Sequence, residues 1–281
     1  MRWYGDNSEL NGIWNAKMPD ILLFGGIAIS DAEGRKLTDR IREVKRRYSE
    51  FGAFPIKWNF MDVERWFKNR SGEKTFSQLK AQSKQWRRSI IDCALDIEFT
   101  VIIACVKHHS VQRHVIKKTR SSVAQFAFAD ALMRVGLLAT EVRPDGICVV
   151  LDWPDAGKYQ VFTDEYRSAL WKGTCHYSPG NSYFCGALHK LRFEEHIMFT
   201  KMEDCPLLQF SDLILGAVRE FIDYALHKKP RDCLGVEITQ KLVPKFRGYP
   251  SRIIGRGISV AASDSDFRNS VFKAMLRLRT S

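Results

Sequence analysis

The chain is organised around one apolar stretch, Cys205–Ile222, with the sequence CPLLQFSDLILGAVREFI. Pro206 suits the first position of a helix, and apolar residues cover most of the circumference of the helix that follows. A helix this apolar is expected to be buried. Asp212 lies in its middle, where a carboxylate disfavours helix formation and is costly to bury without a partner. The stretch leaves two interpretations open: a metal-ligating carboxylate, or a structural Asp bonded to a neighbouring Arg or backbone amide.

The composition is that of a folded protein. Its 281 residues are 45% hydrophobic and 12% aromatic, enough for one large domain or two small ones. The N-terminus lacks the apolar core of a signal peptide, and no apolar run reaches the length of a membrane span. The seven cysteines are scattered and odd in number, which is typical of reduced thiols. We therefore expect a cytoplasmic protein without a membrane association.

The formal net charge is +12 at pH 7, and the excess is concentrated in residues 65–120 and 241–281. A charge of this size favours a polyanionic partner, most simply nucleic acid, because phosphate contacts release condensed counterions. A generically basic soluble protein is the alternative.

Apolar segments with strand character alternate with long segments of helical periodicity. The predicted strands are 2–8, 21–30, 98–107, 146–151 and 192–200, and the predicted helices are 31–49, 74–96, 111–138, 159–171, 205–222 and 266–278. This order predicts an α/β fold in which helices cover both faces of a mixed sheet. We assign residues 1–230 to the main domain, and residues 231–281 to a basic C-terminal extension packed on it or following it.

Three aspartates occupy comparable places beside apolar elements. Asp6 lies in or just after the first strand, Asp152 ends the strand GICVVL, and Asp212 lies in the apolar helix. Ligand sites in α/β sheets gather at the carboxyl ends of strands, so a helix crossing the sheet can bring all three together. Clustered carboxylates repel one another unless a hard cation such as Mg²⁺ or Mn²⁺ compensates them. An ordinary turn or helix cap is the alternative role for each Asp after a strand.

The sequence motifs around the three aspartates resemble those of a known family. They read Asp6-Asn7-Ser8-Glu9, Val149-Val150-Leu151-Asp152 and Leu208-Gln209-Phe210-Ser211-Asp212-Leu213. In order and spacing they resemble the bacterial family catalogued as domain of unknown function 3800. That family has Asp-Glu-Ser-Gly, a strand-final Asp and Leu-Gln-x-Ala-Asp-Leu at these points. The resemblance covers roughly residues 3–226 and implies a ribonuclease H-like fold with helical additions.

The chain departs from the family pattern at two places. Asn7 and Glu9 replace the family's Glu and Gly, and Pro55 stands where many members have a Glu, two residues before Lys57. Ribonuclease H-like enzymes usually assemble four carboxylates. Glu9 and Asp155 are the two alternatives for the fourth.

The resemblance implies a role for each matched residue. Asp6, Asp152 and Asp212 become catalytic ligands of Mg²⁺ or Mn²⁺, and Lys57 a catalytic cation that neutralises a phosphate or developing charge. Gln209 and Ser8 are expected to support this site, Gln209 by orienting Asp212 or a bound water. Basic helical faces are expected to follow a nucleic-acid backbone, with a merely solvated face as the alternative. Their members are Arg42, Lys45, Arg46, Lys80, Lys84, Arg87 and Arg88.

We therefore expect a divalent-metal-dependent nuclease that prefers RNA or an RNA-containing duplex to plain DNA. Bacterial defence against phage or mobile elements is the setting that the family suggests. One alternative is a catalytically weakened nucleic-acid-binding or regulatory subunit, which Asn7 and Pro55 favour. Another is a protein-interaction component of a larger complex, in which the basic faces meet an acidic protein.

Overall fold

A computed structural model describes residues 1–11, 19–48, 55–59, 64, 73–107, 120–153, 159–260 and 265–279. The strands found there are β1 (Arg2–Asn11), β2 (Pro19–Ile29), β3 (Phe99–Lys107), β4 (Cys148–Asp152), β5 (Met198–Thr200) and β6 (Ile258–Val260). The main helices are α1 (Asp31–Arg47), α2 (Glu73–Asp92), α3 (Arg120–Val142), α4 (Gln160–Lys172), α5 (Pro206–Ala225), α6 (Leu234–Leu242) and α7 (Ser265–Arg279). Short helical turns lie at Leu188–Leu191, Met202–Asp204, Val243–Lys245 and Ile253–Arg256.

The six strands form one mixed sheet in the order β5-β4-β1-β2-β3-β6. β1, β2 and β3 pair antiparallel, while β4 runs parallel to β1 and β5 parallel to β4. β6 pairs parallel to β3 at the other edge. The predicted α/β class with a mixed sheet between helices is therefore confirmed.

Helices cover both faces of the sheet, so the central strands are apolar on both sides. α1, α2, α5, α6 and α7 share one core with side chains such as Tyr4 and Val150. α3 and α4 share the opposite core with Trp3 and Val149. Because side chains alternate along β1 and β4, these residues determine to which face of the sheet each later side chain of the two strands points.

Residues after 230 belong to the first of these cores. β6 extends the sheet, and Ile238 of α6 and Val271 of α7 are both completely buried against it. The segment predicted as a C-terminal extension therefore packs on the domain and supplies one of its strands.

The apolar stretch Cys205–Ile222 forms α5, which begins at Pro206 as predicted and is buried over most of its length. In the described part of the chain, Ser121–Val142 is long and apolar enough to cross a membrane by length and composition alone. Of its most apolar window, 67% is buried inside the molecule, as in the core helix of a globular domain. All seven cysteines are free thiols.

Candidate functional site

Asp6, in the middle of β1, and Asp152, the last residue of β4, lie side by side on two neighbouring strands. The parallel register of β1 and β4 runs to Gly5 opposite Leu151, and the two aspartates are the next residues along. Paired strands are about 4.8 Å apart, and residues in register point to the same face. That face is the α5 side, because Tyr4, two residues before Asp6, belongs to the core under α5.

Asp212 reaches the same face from α5. The neighbouring Ser211 is fully buried and donates a hydrogen bond of 3.0 Å from its Oγ to the carbonyl of Tyr4, two residues before Asp6. Gly26 permits this close approach, since a Cβ there would lie 2.0 Å from the Tyr4 carbonyl oxygen and 2.8 Å from Ser211 Oγ. The local sequence of α5 thereby seats Asp212 over the strand that carries Asp6.

The extended segment 55–59 brings Lys57 to the site and is tied to α5 by backbone hydrogen bonds. The N–H of Trp58 donates to Asp212 Oδ2 at 2.6 Å, and the N–H of Ile56 donates to Gln209 Oε1 at 3.2 Å. Lys57 lies between these two anchors. The segment is thus held as a strap across the first turns of α5.

Gln209 joins this strap to the turn that holds Asp152. Its Nε2 donates to the carbonyls of Met202, at 2.9 Å, and Glu203, at 3.1 Å, while the N–H of Met202 donates to Asp152 Oδ1 at 2.8 Å. Gln209 is only 2% exposed, so these bonds have no competition from water. The sequence predicted that Gln209 orients Asp212 or a bound water. Its hydrogen bonds position the backbone segments that hold Asp212 and Asp152.

Trp58 is a supporting residue that the sequence did not single out for this role. Its carbonyl accepts a hydrogen bond of 2.5 Å from Arg87 Nη2, and the Arg87 guanidinium lies 4.9 Å from the centre of its ring. Gly216 of α5 provides the space for the indole, since a Cβ there would lie 2.0 Å from the Trp58 ring. A glycine in the middle of an otherwise apolar helix was the available signal that another side chain packs closely there.

The electrostatics of Asp6 show that the charged groups converge. Asp6 is 8% exposed, and burial is the largest cause that raises its pKa well above the ordinary value. The negative charges of Asp212 and then Asp152 raise that pKa further. The N–H of Asn7, which donates to Asp6 Oδ1 at 2.7 Å, and the positive charge of Lys57 lower it. Asp212, Asp152 and Lys57 therefore all lie close enough to Asp6 to act on its charge.

The chemistry of this set suits a hard divalent cation, because such an ion relieves repulsion among buried carboxylates. In the part of the chain that the structure describes, however, no three His, Cys, Asp or Glu side chains stand in a metal-binding arrangement. The bonds from Trp58 and Met202 hold Asp212 and Asp152 in their present orientations. The residues therefore fit such an ion by their chemistry, while Asp212 and Asp152 also accept hydrogen bonds from the backbone.

The remaining residues predicted to support or complete the site are Ser8, Glu9 and Asp155. Ser8 accepts a hydrogen bond of 3.3 Å from Arg219 Nη1, two turns after Asp212 on α5, so it ties β1 to that helix. Glu9 has its backbone in β1, opposite Leu22, but its side chain is outside what the structure describes. Asp155 also lies outside the described residues. The fourth carboxylate therefore stays a prediction.

Two of the cations predicted on the exposed basic faces, Lys45 and Arg87, are buried. Lys45 is 8% exposed, its Nζ lies 3.4 Å from Gln209 Oε1, and burial lowers its pKa to about 8. Arg87 is 9% exposed, and burial lowers its pKa to about 10. Both cations are covered by residues of other segments, so neither lies on the solvent face that helical periodicity predicted.

The other members of the two faces are at the surface or in ion pairs. Arg42, Arg46, Lys80 and Lys84 are exposed, and Arg42 Nη1 also lies 3.6 Å from Asp39 Oδ1 in a solvent-exposed pair. Arg88 is half-buried and makes a bidentate ion pair with Glu237, with a shortest N–O distance of 2.7 Å. The four exposed residues remain available to a polyanion.

Comparison of the chain with family models, curated proteins and solved structures finds no match. The family resemblance and the ribonuclease H-like assignment therefore stay predictions from the sequence.

Proposed function

We propose that this protein is a divalent-metal-dependent nuclease with a ribonuclease H-like fold. The observation that carries the proposal is the meeting of Asp6, Asp152 and Asp212 on one face, with Lys57 beside them. The mixed sheet supports it too, because aspartates on two parallel neighbouring strands and a third on a helix crossing them can share one centre.

Mg²⁺ or Mn²⁺ bound there would activate a water and stabilise the leaving oxygen of a phosphodiester. The chain's own residues supply the rest. Lys57 offers a positive charge to the phosphate. The exposed cations Arg42, Arg46, Lys80 and Lys84 of α1 and α2 attract the backbone of the substrate, which we propose to be RNA or an RNA-containing duplex. A cytoplasmic role in bacterial defence belongs to the same proposal.

A second candidate is a nucleic-acid-binding or regulatory subunit that keeps the fold with weakened catalysis. The hydrogen bonds of Asp152 with Met202 and of Asp212 with Trp58 favour it, because both carboxylates already have backbone partners. No metal-binding group of three is preformed among the described residues, which points the same way.

Cleavage of labelled RNA and DNA with Mg²⁺, Mn²⁺ or EDTA separates the two candidates. We expect metal-dependent cleavage that falls at least about 100-fold in Asp152→Asn and Asp212→Asn, as when a group acting directly on the transition state is lost. Asp232→Asn, at an exposed position, is the matched control and should cleave like wild type. Undiminished cleavage in either site variant would contradict the nuclease proposal. Salt-sensitive binding without cleavage would support the second candidate.

A further inference from the structure

A crevice begins where β4 ends, on the α5 side of the sheet. The pairing of β4 with β1 runs to Leu151 opposite Gly5, whereas β1 continues to Asn11. Among the described residues, the second half of β1 therefore pairs only with β2. Ligand sites in α/β sheets lie in crevices of this kind, beyond the carboxyl ends of strands.

Ser8 and Arg219 meet in this crevice, on the same face as the aspartates. Ser8 follows Asp6 by two residues on β1, so the two side chains point to one face of the sheet. Arg219 follows Asp212 by two helical turns on α5, so these two share one side of the helix. Arg219 Nη1 donates to Ser8 Oγ at 3.3 Å, and both residues are partly exposed. A ligand in the crevice can therefore reach both.

The spacing from the aspartates matches a nucleic-acid backbone. Ser8 lies about 7 Å beyond Asp6 along the strand, and Arg219 lies about 10 Å beyond Asp212 along the helix axis. A duplex strand carries one phosphate per about 3.4 Å of axis. A strand that runs along the crevice with one phosphate at the aspartates would therefore place a nearby phosphate beside Ser8 and Arg219.

The charges around Arg219 favour an anion. Burial is the largest cause that lowers the pKa of Arg87, and the positive charge of Arg219 lowers it further, while two carboxylates of α5 raise it. Asp223, one turn beyond Arg219, is influenced more by Lys228 and Lys229 than by Arg219. Two guanidinium groups therefore repel each other here, and a bound phosphate would relieve that repulsion.

Arg219 and Ser8 also have the donors that phosphate oxygens accept from. A guanidinium carries five N–H donors in a planar fork that suits bidentate binding of phosphate, and the bond to Ser8 uses one of them. Ser8 accepts that bond with its oxygen, so its own O–H can be directed to a phosphate oxygen.

We propose that Arg219 and Ser8 bind a phosphate of the substrate close to the scissile one on the same strand. This proposal rests on the proposed nuclease function for its biological role and deepens it. It names the substrate class as a polynucleotide that continues past the cleavage point along β1, rather than a terminal nucleotide.

Binding of a labelled short RNA–DNA hybrid, measured by fluorescence anisotropy in EDTA over a range of salt concentrations, tests the site without any cleavage. Arg219→Gln should weaken binding about 10-fold, the lower end for loss of a hydrogen bond to a charged group. It should also reduce the slope of log affinity against log salt by about 0.7 to 0.9, the value for one phosphate contact. Arg219→Lys keeps the charge without the fork, so it should keep the wild-type slope with an intermediate affinity.

Arg252→Gln is the matched control, because it removes the same charge from an exposed position just before the turn that precedes the edge strand β6. It should bind as wild type does. Ser8→Ala should weaken binding less than Arg219→Gln and leave the slope unchanged, since no charge is removed.

Hybrids that each carry one neutral methylphosphonate in place of a phosphate locate the contact. Wild type should lose affinity at several linkages, and Arg219→Gln should become insensitive at one of them while it keeps the others. Circular dichroism checks that each variant is folded, and Arg219→Lys provides the same comparison should the Gln variant fail to fold.

Three results would overturn the proposal. One is wild-type affinity and slope in Arg219→Gln, and another is an equal loss in Arg252→Gln, which would indicate net charge alone. The third is the same methylphosphonate profile in wild type and in the folded Arg219 variants. Absence of cleavage when metal is added would count against the nuclease proposal but would leave these binding readouts intact.

Discussion

Glu165 of α4 and Asp6 of β1 are both buried carboxylates, but their surroundings differ. Glu165 is fully buried and accepts hydrogen bonds of 2.9 to 3.4 Å from the N–H groups of His176 and Tyr177, the Tyr183 hydroxyl and the Gln125 amide. Asp6 accepts a bond from Asn7 and feels the negative charges of Asp212 and Asp152.

The comparison separates a structural carboxylate from a candidate functional one. Glu165 gathers donors from the irregular segment after α4 and so fixes that segment to the helix. Asp6 gathers like charges, an arrangement that costs stability and that persists in proteins chiefly where a ligand or reaction uses it.

The largest expected effect on stability is at Gln209, whose hydrogen bonds hold the segments around the aspartate site. Gln209→Leu would leave the Ile56 N–H and the carbonyls of Met202 and Glu203 buried without this partner. We expect the free energy of unfolding to fall by about 4 kcal/mol. Cleavage should fall about 10- to 100-fold, because the groups that hold Asp152 and Asp212 would shift. Urea denaturation and initial cleavage rates are the measurements.

Gln160→Leu is the matched control, since Gln160 bonds Asp164 on the exposed side of α4. It should change the free energy of unfolding by no more than about 0.5 kcal/mol. Equal effects of the two substitutions would show that Gln209 has no special supporting role.

Glu165 should make stability depend on pH. Burial raises its pKa from 4.5 to about 7 in the folded state, against the lowering effect of its hydrogen-bond donors. Between these two pKa values the folded state therefore binds more protons than the unfolded state. The contribution of Glu165 to stability is fully present below its pKa in the unfolded state and is lost as pH rises through its pKa in the folded state. We expect a loss of about 3 kcal/mol between roughly pH 4.5 and pH 8 from this group.

Denaturation of wild type and Glu165→Gln across that range measures the contribution. The variant should show a flatter pH profile, because its amide does not titrate. Parallel profiles for the two proteins would mean that Glu165 is not the source of the dependence.

At Asp6 we expect a smaller effect of the opposite sign, in which the substitution increases stability. Repulsion from Asp212 and Asp152 penalises its charge, so Asp6→Asn should raise the free energy of unfolding at neutral pH by about 1 kcal/mol without divalent metal. With Mg²⁺ or Mn²⁺ present, wild type should become the more stable protein, since the ion binds the folded state. Thermal denaturation with metal and with EDTA compares the two, and Asp232→Asn again serves as control. A variant less stable than wild type in EDTA would contradict the repulsion.

The sequence predicted the long elements well because their periodicity is local. The apolar pattern of residues 205–222 and the Val/Ile-rich strand 98–107 specify burial without reference to the rest of the chain, and both formed where expected. β6 and α6 were not predicted. β6 is a three-residue strand that only its pairing with β3 defines, and such long-range pairing leaves a weak local signal.

The same limit explains what was predicted about the site. The first strand, the end of the GICVVL strand and the apolar helix suggested Asp6, Asp152 and Asp212 as candidates, because each position follows from its own element. The burial of Lys45 and Arg87 was missed, because Gln209 and Trp58 cover them from distant parts of the chain. Charge pattern along one helix carries no information about such covering partners.

Direct binding of Mn²⁺ tests the central claim that the aspartates form a divalent-metal site. Titration followed by the paramagnetic resonance of free Mn²⁺ needs no substrate and no activity. Wild type and Glu165→Gln are predicted to take up the ion alike, while Asp152→Asn loses that binding and remains folded by circular dichroism. Failure of wild type to bind Mn²⁺, or binding by Asp152→Asn equal to that of wild type, would contradict the claim.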